Sequence, residues 1–320
     1  MIYAPVIIPT LNRYEHFKQC LESLENCTGA DCTDVYVALD YPPSEKYVDG
    51  WKKVDSYLNE KERDNKFKSL IVYRRKENYF FSGKGNGKTA INDLPVEVDR
   101  YIYTEDDNVF SPNFLEFINK GLEKFNDDPS ILAICGYSHP YKVKYKDNNY
   151  LMQSVDFSAW GYGIWRNRRE ACYIASDKSY LREKLKKWAN IRTLKEHGLN
   201  RLLYTIGCAF SRGEISNNDN TLSIYMALEK MNVVMPVFTK VRNIGWDGSG
   251  INCCDECKTN GSHTMREIDK NKHFEYIGDG MYEYESNRKI FVESSYARCS
   301  YLQFFTSLTK GFLKHILRKK

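Results

Sequence analysis

Short apolar runs alternate with stretches of helical spacing over the first 125 residues. Pro5 to Thr10 is a β-rich run ending in a turn, and between Glu15 and Leu24 the positions Phe17, Cys20, Leu21 and Leu24 recur at helical spacing. Asp34 to Leu39 reads as a strand that Pro42 and Pro43 terminate, leaving Asp40 at its carboxyl end. Val48 to Asn59 predicts a helix, Ser69 to Arg74 a third strand and Tyr101 to Thr104 a fourth, followed by the triplet Glu105-Asp106-Asp107 and a helix starting near Ser111. This alternation predicts an α/β fold with a Rossmann-like, mixed but mainly parallel central sheet flanked by helices. Ligands of such sheets bind beyond the carboxyl ends of the strands, so Asp40 and the triplet are expected in one site.

Beyond Asp128 the pattern loosens. Ile131 to Cys135 and Val233 to Phe238 predict strands, Thr221 to Met231 a helix, and the charged stretch Asp177 to Glu196 a helical insertion with a solvated face. Asn243 to Gly250 is rich in glycine and predicts a flexible loop able to close over a ligand. From Tyr301 to Lys320, Leu302, Phe304, Phe305, Leu308, Phe312, Ile316 and Leu317 alternate with lysine and arginine. Such a basic amphipathic stretch suits an anionic membrane surface, or docks as a C-terminal helix on its own domain.

The 320 residues suffice for a large core, and hydrophobic residues at 42% with charged residues at 28% describe a globular chain. Aromatics are unusually frequent at 14%, which fits carbohydrate binding or a thick core equally. A net charge of +5 is too small to argue for nucleic acid. Met1 to Pro9 lacks a basic n-region and is broken by prolines, so no secretory leader is expected, and no run approaches the roughly 20 apolar residues of a transmembrane helix. Ten cysteines without such a leader are expected as reduced thiols in a cytoplasmic protein. Cys253, Cys254 and Cys257, with His263 nearby, form a candidate zinc cluster that lacks a second spaced pair.

Three adjacent carboxylates are costly unless a cation holds them. Read on an extended segment, Glu105 and Asp107 share one face and Asp106 points the other way. Mn²⁺ or Mg²⁺ suits such hard oxygens and bridges a carboxylate to nucleotide phosphates, whereas the alternative is a solvated acidic turn before a helix. Ser82 to Thr89 nearly matches a phosphate-binding P-loop of an ATPase. Pro95, six residues after Thr89, leaves no room for the long helix that such a loop opens.

Asn86 to Asn92, followed by an apolar strand and the acidic cluster, resembles the approach to the metal site of GT-A fold glycosyltransferases such as family 2. Val6-Ile7-Ile8-Pro9-Thr10-Leu11-Asn12-Arg13 looks like that fold's first nucleotide-binding β-α unit, and Glu105-Asp106-Asp107 with Ser111-Pro112-Asn113-Phe114 is similar to N-acetylglucosaminyltransferase I type enzymes. The resemblance covers scattered blocks from about Val6 to Gly250.

It implies a metal at Asp107, the nucleotide ribose at Asp106 and the donor sugar at Glu105, with Thr10, Arg13, Asp40 and Lys88 also on the donor. Phe157 to Trp165 resembles a block bordering sugar and acceptor, pointing to Trp160, Gly161 and Tyr162, and Trp246 joins them as a stacking candidate. Asp219 takes the place of the family's catalytic base, since Met231, Pro236 and Arg242 follow it in the family's order; the aromatic neighbours of that base are replaced here by Asn217, Asn218 and Asn220. Asp156 and Asp247 are reserves, Arg242 a further cation near the diphosphate, and His139 a possible donor contact.

The expectation is a metal-dependent, inverting glycosyltransferase acting on a nucleotide sugar, UDP-linked, and on a saccharide or lipid-linked saccharide acceptor at the inner face of the cell membrane. Within one domain, residues 1–128 would bind the nucleotide sugar and 129–260 would bind the acceptor and carry the catalytic residue, with 261–320 as an extension ending in the basic tail. A non-catalytic nucleotide-sugar-binding protein and a P-loop ATPase are the alternatives.

Overall fold

The computed structural model describes residues 2–138, 147–154, 157–196, 206, 219–250 and 266–280, with seven tail residues (302, 305, 306, 308–310 and 313); for residues 195, 196, 219 and 220 the backbone alone is described. Ten strands and eight α-helices are defined among them. In chain order they are β1 (Val6–Thr10), α1 (Tyr14–Glu25), β2 (Asp34–Leu39), α2 (Val48–Lys61), β3 (Ser69–Arg74), α3 (Asn86–Asn92), β4 (Arg100–Tyr103), β5 (Asn108–Phe110), α4 (Phe114–Lys124), β6 (Ile131–Cys135), β7 (Tyr150–Gln153), β8 (Tyr162–Trp165), α5 (Arg166–Ala171), α6 (Lys178–Leu185), α7 (Trp188–Glu196), α8 (Asp219–Glu229), β9 (Asn232–Pro236) and β10 (Val241–Asn243).

Eight strands form one sheet in the order β3-β2-β1-β4-β8-β6-β9-β7. β3, β2, β1 and β4 are parallel, β8 runs against both β4 and β6, β9 is parallel to β6, and β7 runs against β9. β5 and β10 make a separate antiparallel ribbon pairing Asn108 with Asn243. This is the mixed, mainly parallel α/β sheet that the alternation predicts. Alternate residues of each strand face opposite sides. Val6, Ile8, Val35 and Val37 pack with Leu21 of α1, Leu58 of α2 and Phe117 of α4, whereas Ile7, Ala38 and Tyr101 pack with Ile91 of α3 and Met226 of α8.

β8 fits between β4 and β6 because Gly163 gives α4 room: a Cβ there would collide with Ile118. Gly161, at φ +68, turns the chain into β8 with its carbonyl accepting from Gly136 N at 2.7 Å.

The charged stretch before residue 196 differs from expectation. It forms two helices, α6 and α7, whose Leu181 and Leu194 are buried with Ala175, Ile224 and Leu228 in a satellite core on α8, because one apolar stripe runs through the charged surface. Leu308 of the tail packs against this same cluster, while Leu302, Phe305 and Leu313 are exposed. No described helix is long and apolar enough to cross a membrane.

Residues 266–280 contain no helix or strand, yet they lie fastened across α4 and β7. Phe274 N donates to Glu116 Oε2 at 2.9 Å, Tyr276 Oη to Phe117 O at 2.9 Å, and Met152 N to Gly280 O at 3.0 Å. Beneath them the fully buried Lys240 pairs with Asp269, which also accepts from Asn113 Nδ2 at 2.9 Å. The Lys240 ammonium lies 4.7 Å from the Phe274 ring centre.

Candidate active site

Thr10 ends β1, and Arg13 sits one turn later at the start of α1, so both stand at the carboxyl edge of the sheet beside the end of β4. The acidic triplet follows β4 and folds into a turn rather than continuing the strand. The expected two-faced arrangement therefore does not hold. Asp106 and Asp107 both reach the same guanidinium: Arg13 Nη2 lies 2.5 Å from Asp106 Oδ1 and 2.8 Å from Asp107 Oδ2. Thr10 Oγ1 donates to the second oxygen of Asp106 at 2.8 Å.

The ribbon of β5 and β10 supplies the remaining partner. Asn243 is buried and divides its amide between Asp107 Oδ1 at 2.7 Å and Asn108 Oδ1 at 3.0 Å, while its own Oδ1 accepts from Gly245 N at 3.0 Å. Ile244 N donates to the Asp107 carbonyl at 2.8 Å. The opening of the glycine-rich stretch, expected as a flexible loop, is thus pinned to the acid pair by backbone and side chain together. Asn243 is the residue that sequence reasoning missed as a partner of the acid pair; an asparagine at the head of a glycine-rich loop carries no signal beyond turn chemistry.

Burial pushes the Asp106 carboxyl up, against the pull of Arg13 and Thr10. Burial alone would lower the Arg13 guanidinium, but Asp106 and Asp107 hold it above its ordinary value. Two buried carboxylates against one guanidinium leave one negative charge uncompensated by Arg13. The donor set therefore suits a hard divalent cation; Gly245 packs so closely on Oδ2 of Asp107 that a Cβ there would collide with it, and the partner that this oxygen has is Arg13. Such an ion fits if Arg13 yields Oδ2. Among the described residues no group of three or more His, Cys, Asp or Glu side chains is placed to bind a metal. The other ligands would then be water or substrate oxygens.

An aromatic wall adjoins the pair. Trp246 follows Gly245, and its ring lies 6.1 Å from that of Trp160, which meets Tyr137 edge-on at 4.6 Å. Trp160 lies just before β8 and Tyr137 just after β6, so the reversed direction of β8 brings both to the edge that holds Asp107. Arg266 stands 5.3 Å above the Tyr137 ring and donates from Nη2 to Ser138 Oγ at 3.4 Å, placing a second cation on this wall. Asp247 pairs with His16 Nε2 of α1 at 3.1 Å.

The other expected residues make the following contacts. Asp40 is buried and spends both carboxylate oxygens on the chain itself, accepting from Tyr41 N, Tyr79 N, Phe80 N and Asn78 Nδ2 at 2.8–3.3 Å. It fixes the turn at 78–81. Lys88 of α3 points its ammonium to the Tyr173 ring, 5.8 Å away. Tyr162 is buried between Tyr103 and Phe157 in the core, and Gly161 packs against Phe114. Glu105 presents its carbonyl to Cys20 Sγ at 3.6 Å. Arg242 lies on β10 opposite Val109, and its buried Nε has no hydrogen-bond partner among the described residues. Asp219 opens α8. Its side chain lies outside the described residues, as do His139, Asp156 and the cluster of Cys253, Cys254, Cys257 and His263. The seven residues 86–92 of α3 end well short of a P-loop helix.

No family model matches the chain, and no curated protein matches it. Among solved structures, it is similar to a mannosyltransferase of Pyrobaculum calidifontis in complex with GDP-Man and Mn²⁺, at 10% identity over 99% of this chain and 88% of that one, with a TM-score of 0.40. It is similar also to S. aureus TarS residues 1–349, at 13% identity over 75% of this chain and 60% of that one, with a TM-score of 0.39. Against the longer S. aureus TarS structure the identity is 19% over 46% of this chain, the match spans 24% of that chain, and the TM-score is 0.30.

Proposed function

We propose that the chain is a glycosyltransferase of GT-A type that moves a sugar from a nucleoside diphosphate, UDP-linked, to a saccharide hydroxyl. The observation that supports this most is the buried pair Asp106 and Asp107, held by Thr10, Arg13 and Asn243 at the carboxyl edge of a mainly parallel sheet and flanked by Trp160 and Trp246. That edge is where such sheets bind ligands, and a diphosphate is the substrate group that brings both negative oxygens and the need for a cation.

In this reading Asp107 would hold Mn²⁺ or Mg²⁺, which supplies Lewis-acid stabilisation to the leaving diphosphate. Arg13 and Asp106 position the nucleotide, and the indole faces of Trp160 and Trp246 orient the sugar by stacking. Inversion requires a carboxylate within hydrogen-bond reach of the acceptor hydroxyl. Asp219 is proposed for that role. Asp156 and Asp247 are the reserves; burial pushes Asp247 up, but hydrogen bonds from Ser249 and the neighbouring His16 hold it below the usual carboxylate range, making it a weaker base than an ordinary carboxylate. The acceptor is proposed to be a saccharide, lipid-linked at the inner membrane face, with residues 301–320 resting on anionic lipid.

Calorimetry with a panel of UDP- and GDP-sugars tests the reading. Mn²⁺-dependent binding of one of them, lost in Asp107→Ala, is the expected result, and unchanged binding in that variant would remove the foundation of the proposal. Asp219→Asn should keep donor binding and lose transfer. Deleting residues 301–320 should abolish binding to anionic liposomes.

A further inference from the structure

Arg13 occupies the place that a cation would take on Asp107. All four oxygens of the acid pair have partners: Arg13 and Thr10 on Asp106, Arg13 and Asn243 on Asp107. A metal reaching Oδ2 of Asp107 must displace a guanidinium seated 2.8 Å away, and Arg13 Nη1 stands 3.1 Å from where a Gly245 side chain would begin. Gly245 and Arg13 thus cover Oδ2 together, and of the two only the Arg13 side chain can withdraw from it. Arg13 itself is about one-fifth exposed at its side chain, so it has room to turn toward an incoming anion.

We propose that Arg13 and a divalent cation exchange on Asp107, with the nucleoside diphosphate as the trigger. Without nucleotide the guanidinium neutralises the carboxylate and keeps the metal off. When the diphosphate arrives, its oxygens offer the guanidinium another partner, Oδ2 is released, and metal and nucleotide enter together. The charge count supports this order: replacing Arg13 by a divalent ion on two carboxylates is favourable only if the freed guanidinium finds a new anion, because a buried cation without one is costly. Binding coupled this way is reciprocal, so nucleotide must raise metal affinity by the factor by which metal raises nucleotide affinity. The exchange rests on the nucleoside-diphosphate reading above.

The experiment titrates Mn²⁺ onto the full chain, reading free Mn²⁺ from its electron paramagnetic resonance amplitude, with and without UDP, each against a protein-free titration that subtracts the Mn²⁺ held by UDP itself. For the unaltered chain, weak binding of Mn²⁺ alone and a tightening of about tenfold or more with UDP are expected. Arg13→Gln should bind Mn²⁺ alone about tenfold more tightly than the unaltered chain, and its coupling to UDP should shrink. Arg13→Lys keeps a positive charge that cannot bridge both carboxylates, and should fall between the two. Equal or weaker Mn²⁺ binding in a folded Arg13→Gln would overturn the exchange. Tight binding of Mn²⁺ by the unaltered chain without UDP, unchanged when UDP is added, would overturn it without any variant. Failure of UDP and GDP to bind at any Mn²⁺ concentration would instead count against the nucleotide reading, which the metal-only comparison of Arg13→Gln with the unaltered chain leaves separately measurable.

Discussion

Gly245 lies directly against the Asp107 carboxylate, so that a methyl group on Gly245 would collide with Oδ2. The neighbour cannot simply step aside, because Asn243 and Arg13 hold Asp107 from the other directions. Gly245→Ala should therefore weaken nucleotide binding about tenfold, roughly 1.4 kcal/mol, and also lower the thermal midpoint through an overpacking cost of about 1–3 kcal/mol. Calorimetry beside a melting curve separates the two; a large fall in the midpoint with intact binding would contradict the placement.

Asp40 is a structural anchor in this fold. Its carboxylate takes hydrogen bonds from three backbone amides and one side-chain amide. Asp40→Ala should cost roughly 2–3 kcal/mol in urea unfolding, since charged hydrogen bonds are lost and donors are left without acceptors. Amide exchange at Tyr79 and Phe80 should speed up, because these two amides lose their acceptor.

Lys240 and Asp269 form a pair whose partners respond to burial in opposite ways. Burial pushes Asp269 up, but Asn113 and Lys240 hold it below the usual carboxylate value, while burial lowers Lys240. An acid depressed in the folded chain contributes stability that is present above its unfolded value near 3.9 and is lost as pH falls through the folded value. Asp269→Ala should thus cost about 3–5 kcal/mol at pH 7, and the loss of stability between pH 5 and pH 3 should be smaller in that variant than in the unaltered chain. Urea midpoints across this range decide it.

Thiol chemistry should be selective. Burial pushes Cys27 and Cys172 up to about 12 and Cys20 well above the ordinary thiol value, and Cys135 is buried, whereas Cys32 is exposed. Iodoacetamide at pH 8 should alkylate Cys32 in the folded chain and leave Cys20, Cys27, Cys135 and Cys172 unmodified until denaturant is added. Peptide mapping reads out each position.

The parts of the fold legible in sequence are those where residue type and burial agree. β2 and β6 match their predicted spans because sheet strands covered by helices need apolar, β-branched runs, and the half-buried edge strand β3 matches its span through its β-branched and aromatic residues. β8 was hidden because Tyr162-Gly163-Ile164-Trp165 earns its place through the gap that Gly163 leaves for Ile118, which no period reveals. β5 and β10 have three residues each, too few for a pattern. In the site, the convergence of Arg13 with Asp106 and Asp107 follows from β1 lying beside β4, a strand order that the alternation of elements does not give; in the sequence Arg13 was assigned to the donor by resemblance alone. The face assignment was not legible either, since it presumed an extended backbone where the chain turns.

β8 runs against its neighbours, and Gly136 N bonds to Gly161 O at 2.7 Å, so the chain leaves the ligand edge after β6 and returns to it before β8 at a single clasp. The two ends of the connection from β6 to β8 are thereby fixed at one point, while among its described residues β7 pairs with β9 and Tyr150 and Phe157 are buried in the core. Tyr137 and Trp160 stand just inside the clasp, so the wall beside the acid pair is set by residues whose backbone that one hydrogen bond anchors.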